Sequence, residues 1–135
     1  MNAEADYISA ERKNIRNTVN LIEDLLSKSR LSKYESIALG KLLQDVYTGI
    51  ERIFRSQLES KKIKIDKTQS WHKELLLEAK KHNLVSETQF DCFRELLLFR
   101  HMQIHGYGYM LEEERLLAIA KPVPVVCIDF LKNTE

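Results

Sequence analysis

Apolar residues recur along this chain at threes and fours far more than at twos, the period with which an α-helix presents one face. Ile8, Ile15, Val19, Ile22 and Leu26, with Arg, Lys and Glu between them, predict a first helix over residues 8 to 28 that closes at a Ser-Lys-Ser-Arg stretch. A second, longer helix is expected to open at Ser32, because Glu35 stands three residues after a good N-cap, the reciprocal arrangement of a capping box. Leu39, Leu42, Val46, Ile50 and Ile53 form its stripe, widened by Leu43, Tyr47 and Phe54, which carries it to about Leu58. KKIKIDKTQ breaks the pattern; Lys-Ile-Lys-Ile alternates like a short strand, but its charge favours a loop.

Trp71, Leu75, Leu76 and Ala79 predict a short third helix ending near His82-Asn83. Ser86 and Gln89 form a second capping box and open a fourth helix. Phe90, Phe93, Leu97 and Ile104 make its stripe, while Cys92, Leu96, Phe99 and Met102 cover much of the remaining girth. A helix so apolar is enclosed on several sides, by its own domain or by a partner chain. Gly106 and Gly108 predict its stop. A fifth helix is expected over Met110 to Ala120, kinked or broken at Lys-Pro-Val-Pro before a last helical piece, Val125 to Leu131. The expectation is an all-α, up-and-down bundle of four long helices and one short one, in a single domain over residues 1–135.

Composition agrees with that picture. The apolar fraction of 44%, with four Gly and two Pro in 135 residues, suits long helices and disfavours a turn-rich β fold. A chain of this length buries about two thirds of its unfolded surface and folds without a structural metal or disulfide. Cys92 and Cys127 stand in FDCF and VVCI with no CxxC spacing, and read as reduced packing residues of a cytoplasmic protein. No run of about 18 apolar residues occurs, and MNAEADYISAERKN has no apolar core, so neither a membrane span nor an export signal is expected. The net charge of +1 argues against a protein that coats nucleic acid. From Arg52 to Lys67, however, six basic residues face two acidic ones. That run is either an ordinary solvated face or a patch for an RNA backbone, formed by Arg52, Arg55, Lys61, Lys62 and Lys64.

FRHMQIHGYGYM, residues 99 to 110, carries the candidate chemistry. Arg100 follows Phe93 by seven residues, which at 100° per residue places it within about 20° of the apolar stripe. A guanidinium there needs a partner or a use: a structural ion pair with Glu51 or Asp45, or a ligand. His101 and His105 share a face, but HMQIH lacks the glutamate of HExxH and no third ligand is in view, so no metal and no cofactor is expected. His72 and His82 read as surface or capping residues. A cation, an imidazole and a phenol at a helix end are what RNA cleavage needs: proton transfer at two oxygens and charge stabilisation at phosphorus. One histidine per chain is few for two transfers, which suggests that two chains share a site.

Arg100, four residues, His105, one residue and Tyr107 spell R-x4-H-x-Y, which resembles the signature of HepT-type toxins of the HEPN superfamily, the toxins of the HepT/MntA toxin–antitoxin system. Chain length, helix order, the position of the motif and the upstream Trp-His-Lys-Glu-Leu-Leu segment fit the same family. The resemblance implies a homodimeric, metal-independent endoribonuclease whose two motifs face each other, with transfer RNA as one target class. It implies catalytic roles for Arg100 and His105; His101, which stands where many relatives have Asn or another small polar residue, and Glu51 are candidate supporting residues read from this chain. It also implies a partner, an MntA-like minimal nucleotidyltransferase antitoxin that transfers AMP to Tyr107, Tyr109 being a second phenol within reach. The alternative is a non-catalytic HEPN module that binds nucleotide or assists a nucleotidyltransferase, and the shared bundle does not separate the two.

Overall fold

A computed structural model describes residues 3–66, 69–104 and 112–135, with backbone only at 103 and 104. Among these residues there are helices and no strands. α1 (Ala3–Leu26) starts five residues before its first apolar anchor, because Ala3, Glu4, Ala5 and Asp6 favour helix and put two carboxylates at its positive end. It buries Ile8, Ile15, Val19 and Ile22. α2 (Lys33–Ser60) opens with the expected capping box: the Glu35 N–H donates to Ser32 Oγ at 3.1 Å and the Ser32 N–H to Glu35 Oε1 at 2.8 Å. It ends two residues beyond Leu58, where Lys62 takes a left-handed φ of 61° and the Ile63 N–H donates back to the Leu58 carbonyl at 2.9 Å. Ile63 and Ile65 then run as an irregular segment, half-buried against the core.

α3 (Trp71–Lys81) closes in the same way on Asn83, φ 59°, a residue whose short polar side chain tolerates that conformation. α4 (Glu87–Ile104) opens on the second capping box, Ser86 with Gln89, at 3.0 and 3.1 Å. The glycine stop expected at Gly106 and Gly108 lies outside the described residues. α5 (Glu113–Ala120) breaks at Lys121-Pro122, as the Lys-Pro-Val-Pro sequence predicts, and α6 (Val123–Asn133) begins at once. It starts two residues earlier than expected, because Pro124 falls in the first turn, where no backbone N–H is required.

α2 is the axis of the bundle, touching α1, α3, α4 and α5, while α6 closes the far side against α1 and α4. Phe54, Phe93 and Phe130, one each from α2, α4 and α6, meet edge to face with ring centroids 5.3 to 6.2 Å apart. At Gly49 the two longest helices come so close that a Cβ would stand 2.8 Å from Ile15 Cγ1. Cys92 and Cys127 are buried free thiols. No helix among the described residues is long and apolar enough to cross a membrane.

Candidate functional site

The same helical period that builds the core also aims three polar side chains at one point. Tyr47, Ile50, Glu51 and Phe54 follow one another at threes and fours on the buried face of α2, so Glu51 is carried inside with the apolar residues and is 4% exposed. On α3, His72 precedes Leu75, Leu76 and Ala79 by three, four and seven residues and shares their inward face. On α4, Arg100 follows Phe93 and Leu97, and its side chain is 20% exposed.

The three converge. His72 Nδ1 lies 2.8 Å from Glu51 Oε2, and Arg100 Nη1 lies 3.5 Å from Glu51 Oε1. Arg100 Nη1 is also 2.9 Å from His72 Nδ1 and 3.1 Å from His72 Nε2. With Nδ1–H donating to the carboxylate, Arg100 Nη1, nearly equidistant from the two ring nitrogens, stands over the imidazole face and does not occupy the in-plane lone pair of Nε2. Trp71 covers the imidazole, with ring centroids 3.7 Å apart, and the Arg55 guanidinium stands 5.6 Å from the Trp71 ring centroid on the way to α2.

Burial raises the Glu51 carboxyl above its usual range, opposed first by the His72 hydrogen bond and then by the charges of His72, Arg100 and Arg55. Burial, with the Glu51 charge beside it, also pushes the Tyr47 phenol far up, so Tyr47 stays neutral. Its hydroxyl is fully enclosed and has no hydrogen-bond partner among the described residues.

Two members of this cluster, His72 and Arg100, line a groove of ≈ 630 Å³ between α3 and α4. His72, Lys73, Arg94, Arg100 and His101 line it, together with Gln69 and Ser70, and none of the described lining residues is acidic. Its floor and flank are apolar, from Leu76, Leu77, Phe90, Leu97 and Leu98. Such a lining suits a ligand with an anionic backbone and flat apolar groups.

Of the two carboxylates considered for Arg100, Glu51 takes the contact, while Asp45 pairs with Lys41 at 2.7 Å. His82 does cap the end of α3, 3.2 Å from Glu78, but the surface reading of His72 is corrected. The signal was available: His72 has the in-stripe spacing that singled out Arg100. The basic run divides. Arg55 faces the cluster across Trp71, Arg52 meets Glu11 of α1 at 3.5 Å, and Lys61, Lys62 and Lys64 stay exposed beyond the end of α2. His101 lines the groove; His105, Tyr107 and Tyr109 lie outside the described residues.

A bundle that is all helical among the described residues, with a half-buried arginine near the end of its fourth helix, is the class of protein that fold and site define. The sequence profile of the HepT-like protein family matches residues 38–133, from the first turns of α2 to the end of α6, and the chain belongs to this HepT-type family of the HEPN superfamily. A search of curated proteins finds no match, and a search of solved structures finds none either.

Proposed function

We propose that the protein is a metal-independent endoribonuclease, the toxin of a toxin–antitoxin pair, that cleaves RNA at a site shared by two copies of the chain. Arg100 binds the phosphate, and His105 transfers a proton. The observation that carries the reading is the groove: it is lined by Arg100, gathers only neutral or basic polar side chains among its described residues, and offers apolar walls to bases. Leu77 and Leu98, 47% and 52% exposed on the same groove, leave apolar surface for the second copy.

An MntA-like nucleotidyltransferase antitoxin silences the site by placing AMP on Tyr107, whose phosphate then competes for Arg100. Transfer RNA is the first substrate to try. Purified protein is expected to cut RNA in the presence of EDTA, and Arg100→Ala and His105→Ala each to abolish both cleavage and growth arrest. Full activity in both variants would remove the reading. The contact of Arg100 with Glu51 and His72 favours one rival, a non-catalytic bundle in which the guanidinium is a structural tie. Under that rival, RNA stays intact and Arg100 variants fail by unfolding.

A further inference from the structure

We propose that His72 is a second proton-transfer residue of this site, oriented by Glu51 and standing on the same chain as the phosphate-binding Arg100. The inference rests on the ribonuclease reading above and assigns one of its two proton transfers to a residue that stands beside Arg100.

The ring has the setting of a general base. Its Nδ1 is held 2.8 Å from a carboxylate that is only 5% exposed, and Trp71 fixes its plane from one side. A carboxylate on one ring nitrogen sets the tautomer and leaves the other nitrogen as the acceptor. That nitrogen, Nε2, stands 3.1 Å from Arg100 Nη1, and both side chains line the α3–α4 groove. Pairing with Glu51 uses Nδ1 and leaves the Nε2 lone pair out of the contact. Glu51 from α2 and Arg100 from α4 contact the ring, Tyr47 and Arg55 from α2 interact with Glu51, and His101 lines the same groove.

A phosphodiester oxygen bound to Arg100 Nη1 brings the neighbouring 2′-hydroxyl to the in-plane lone pair of Nε2, which Arg100 does not occupy. His72 Nε2 takes the 2′-hydroxyl proton as the 2′-oxygen bonds to phosphorus. The bond from phosphorus to the 5′-oxygen breaks, and that oxygen receives a proton from protonated His105. The products are a 2′,3′-cyclic phosphate and a 5′-hydroxyl, with no change of oxidation state. The imidazolium left at His72 stays against the Glu51 carboxylate, which stabilises it.

The test compares wild type, His72→Gln and His105→Ala in steady-state cleavage of an RNA oligonucleotide with EDTA, from about pH 5 to about pH 9, alongside RNA affinity by fluorescence anisotropy. For His72→Gln the expected result is a fall in kcat of about 10²- to 10⁴-fold, unchanged RNA affinity, and loss of the rise in rate on the acid side of the pH profile. A rate within about tenfold of wild type overturns the assignment while the ribonuclease reading stands, provided that His105→Ala is inactive. So does a slow variant that keeps both limbs of the profile and binds RNA weakly, since His72 would then only hold Arg100 in place. Uncut RNA with wild type overturns both. If His72→Gln melts early, His72→Ala with free imidazole decides: recovered cleavage supports the assignment, and no recovery overturns it.

Discussion

Arg100→Met separates a cation kept for use from one kept for stability, because methionine preserves the aliphatic stem and removes only the guanidinium. The interactions lost are a contact of 2.9 Å with His72 and a long ion pair of 3.5 Å with Glu51. At an effective dielectric near 20, unit charges about 4 Å apart attract by roughly 4 kcal/mol, and taking a largely buried guanidinium out of water costs several kcal/mol in the other direction. Glu51 is not orphaned, since His72 still donates to it at 2.8 Å. The balance is a loss of about 1–2 kcal/mol, short of the roughly 3–5 kcal/mol that follows when a buried charge loses its sole partner. Against a total stability of at least about 5 kcal/mol, the variant stays more than about 99% folded at room temperature. Its melting temperature should drop by about 3–8 °C. Urea denaturation followed by circular dichroism measures the loss, and RNA cleavage on the same sample should be absent. A loss of about 4 kcal/mol or more would make Arg100 a structural tie, and an active variant would remove it from the chemistry.

Glu51→Gln tests the buried carboxyl through pH. Burial raises the folded-state pKa of Glu51 above the 4.5 of the free side chain, so in that window the folded chain holds the proton more tightly, and wild type loses stability as pH rises through it. Glutamine undergoes no such loss, so the melting temperature of the variant relative to wild type should climb as pH rises above 4.5 while cleavage falls; a difference independent of pH would sink the argument. Ser32→Ala removes one half of the α2 capping box and should cost about 1 kcal/mol in urea with activity intact. Gly49→Ala gains about 1 kcal/mol in helix propensity but drives a Cβ against Ile15, which costs about 1–3 kcal/mol. A net loss near 1 kcal/mol is expected by thermal melting. A more stable Gly49→Ala variant would show that α1 and α2 can move apart.

Helix positions were legible because their determinants are local. Two capping boxes, at Ser32 and Ser86, and an unbroken period of threes and fours act within a few residues of one another, and both capping boxes stand as expected. Errors were confined to ends: the first turn of α1, where no apolar anchor announces the helix, and the start of α6, where a proline that breaks helices in their interior is harmless in their first turn. Periodicity also reported that Arg100 lies on an inward face, which is a property of one helix. Which groups meet it there is a property of three. Glu51, His72 and Arg100 are separated by 21 and 28 residues, and only the packing of α3 and α4 against α2 brings them within hydrogen-bond reach. Sequence proposed two carboxylates for the arginine and could not choose between them. The choice fell to geometry, because Asp45 is half-exposed and can answer a lysine one turn away, whereas Glu51 is enclosed and must find its partners among the side chains that the bundle delivers to it.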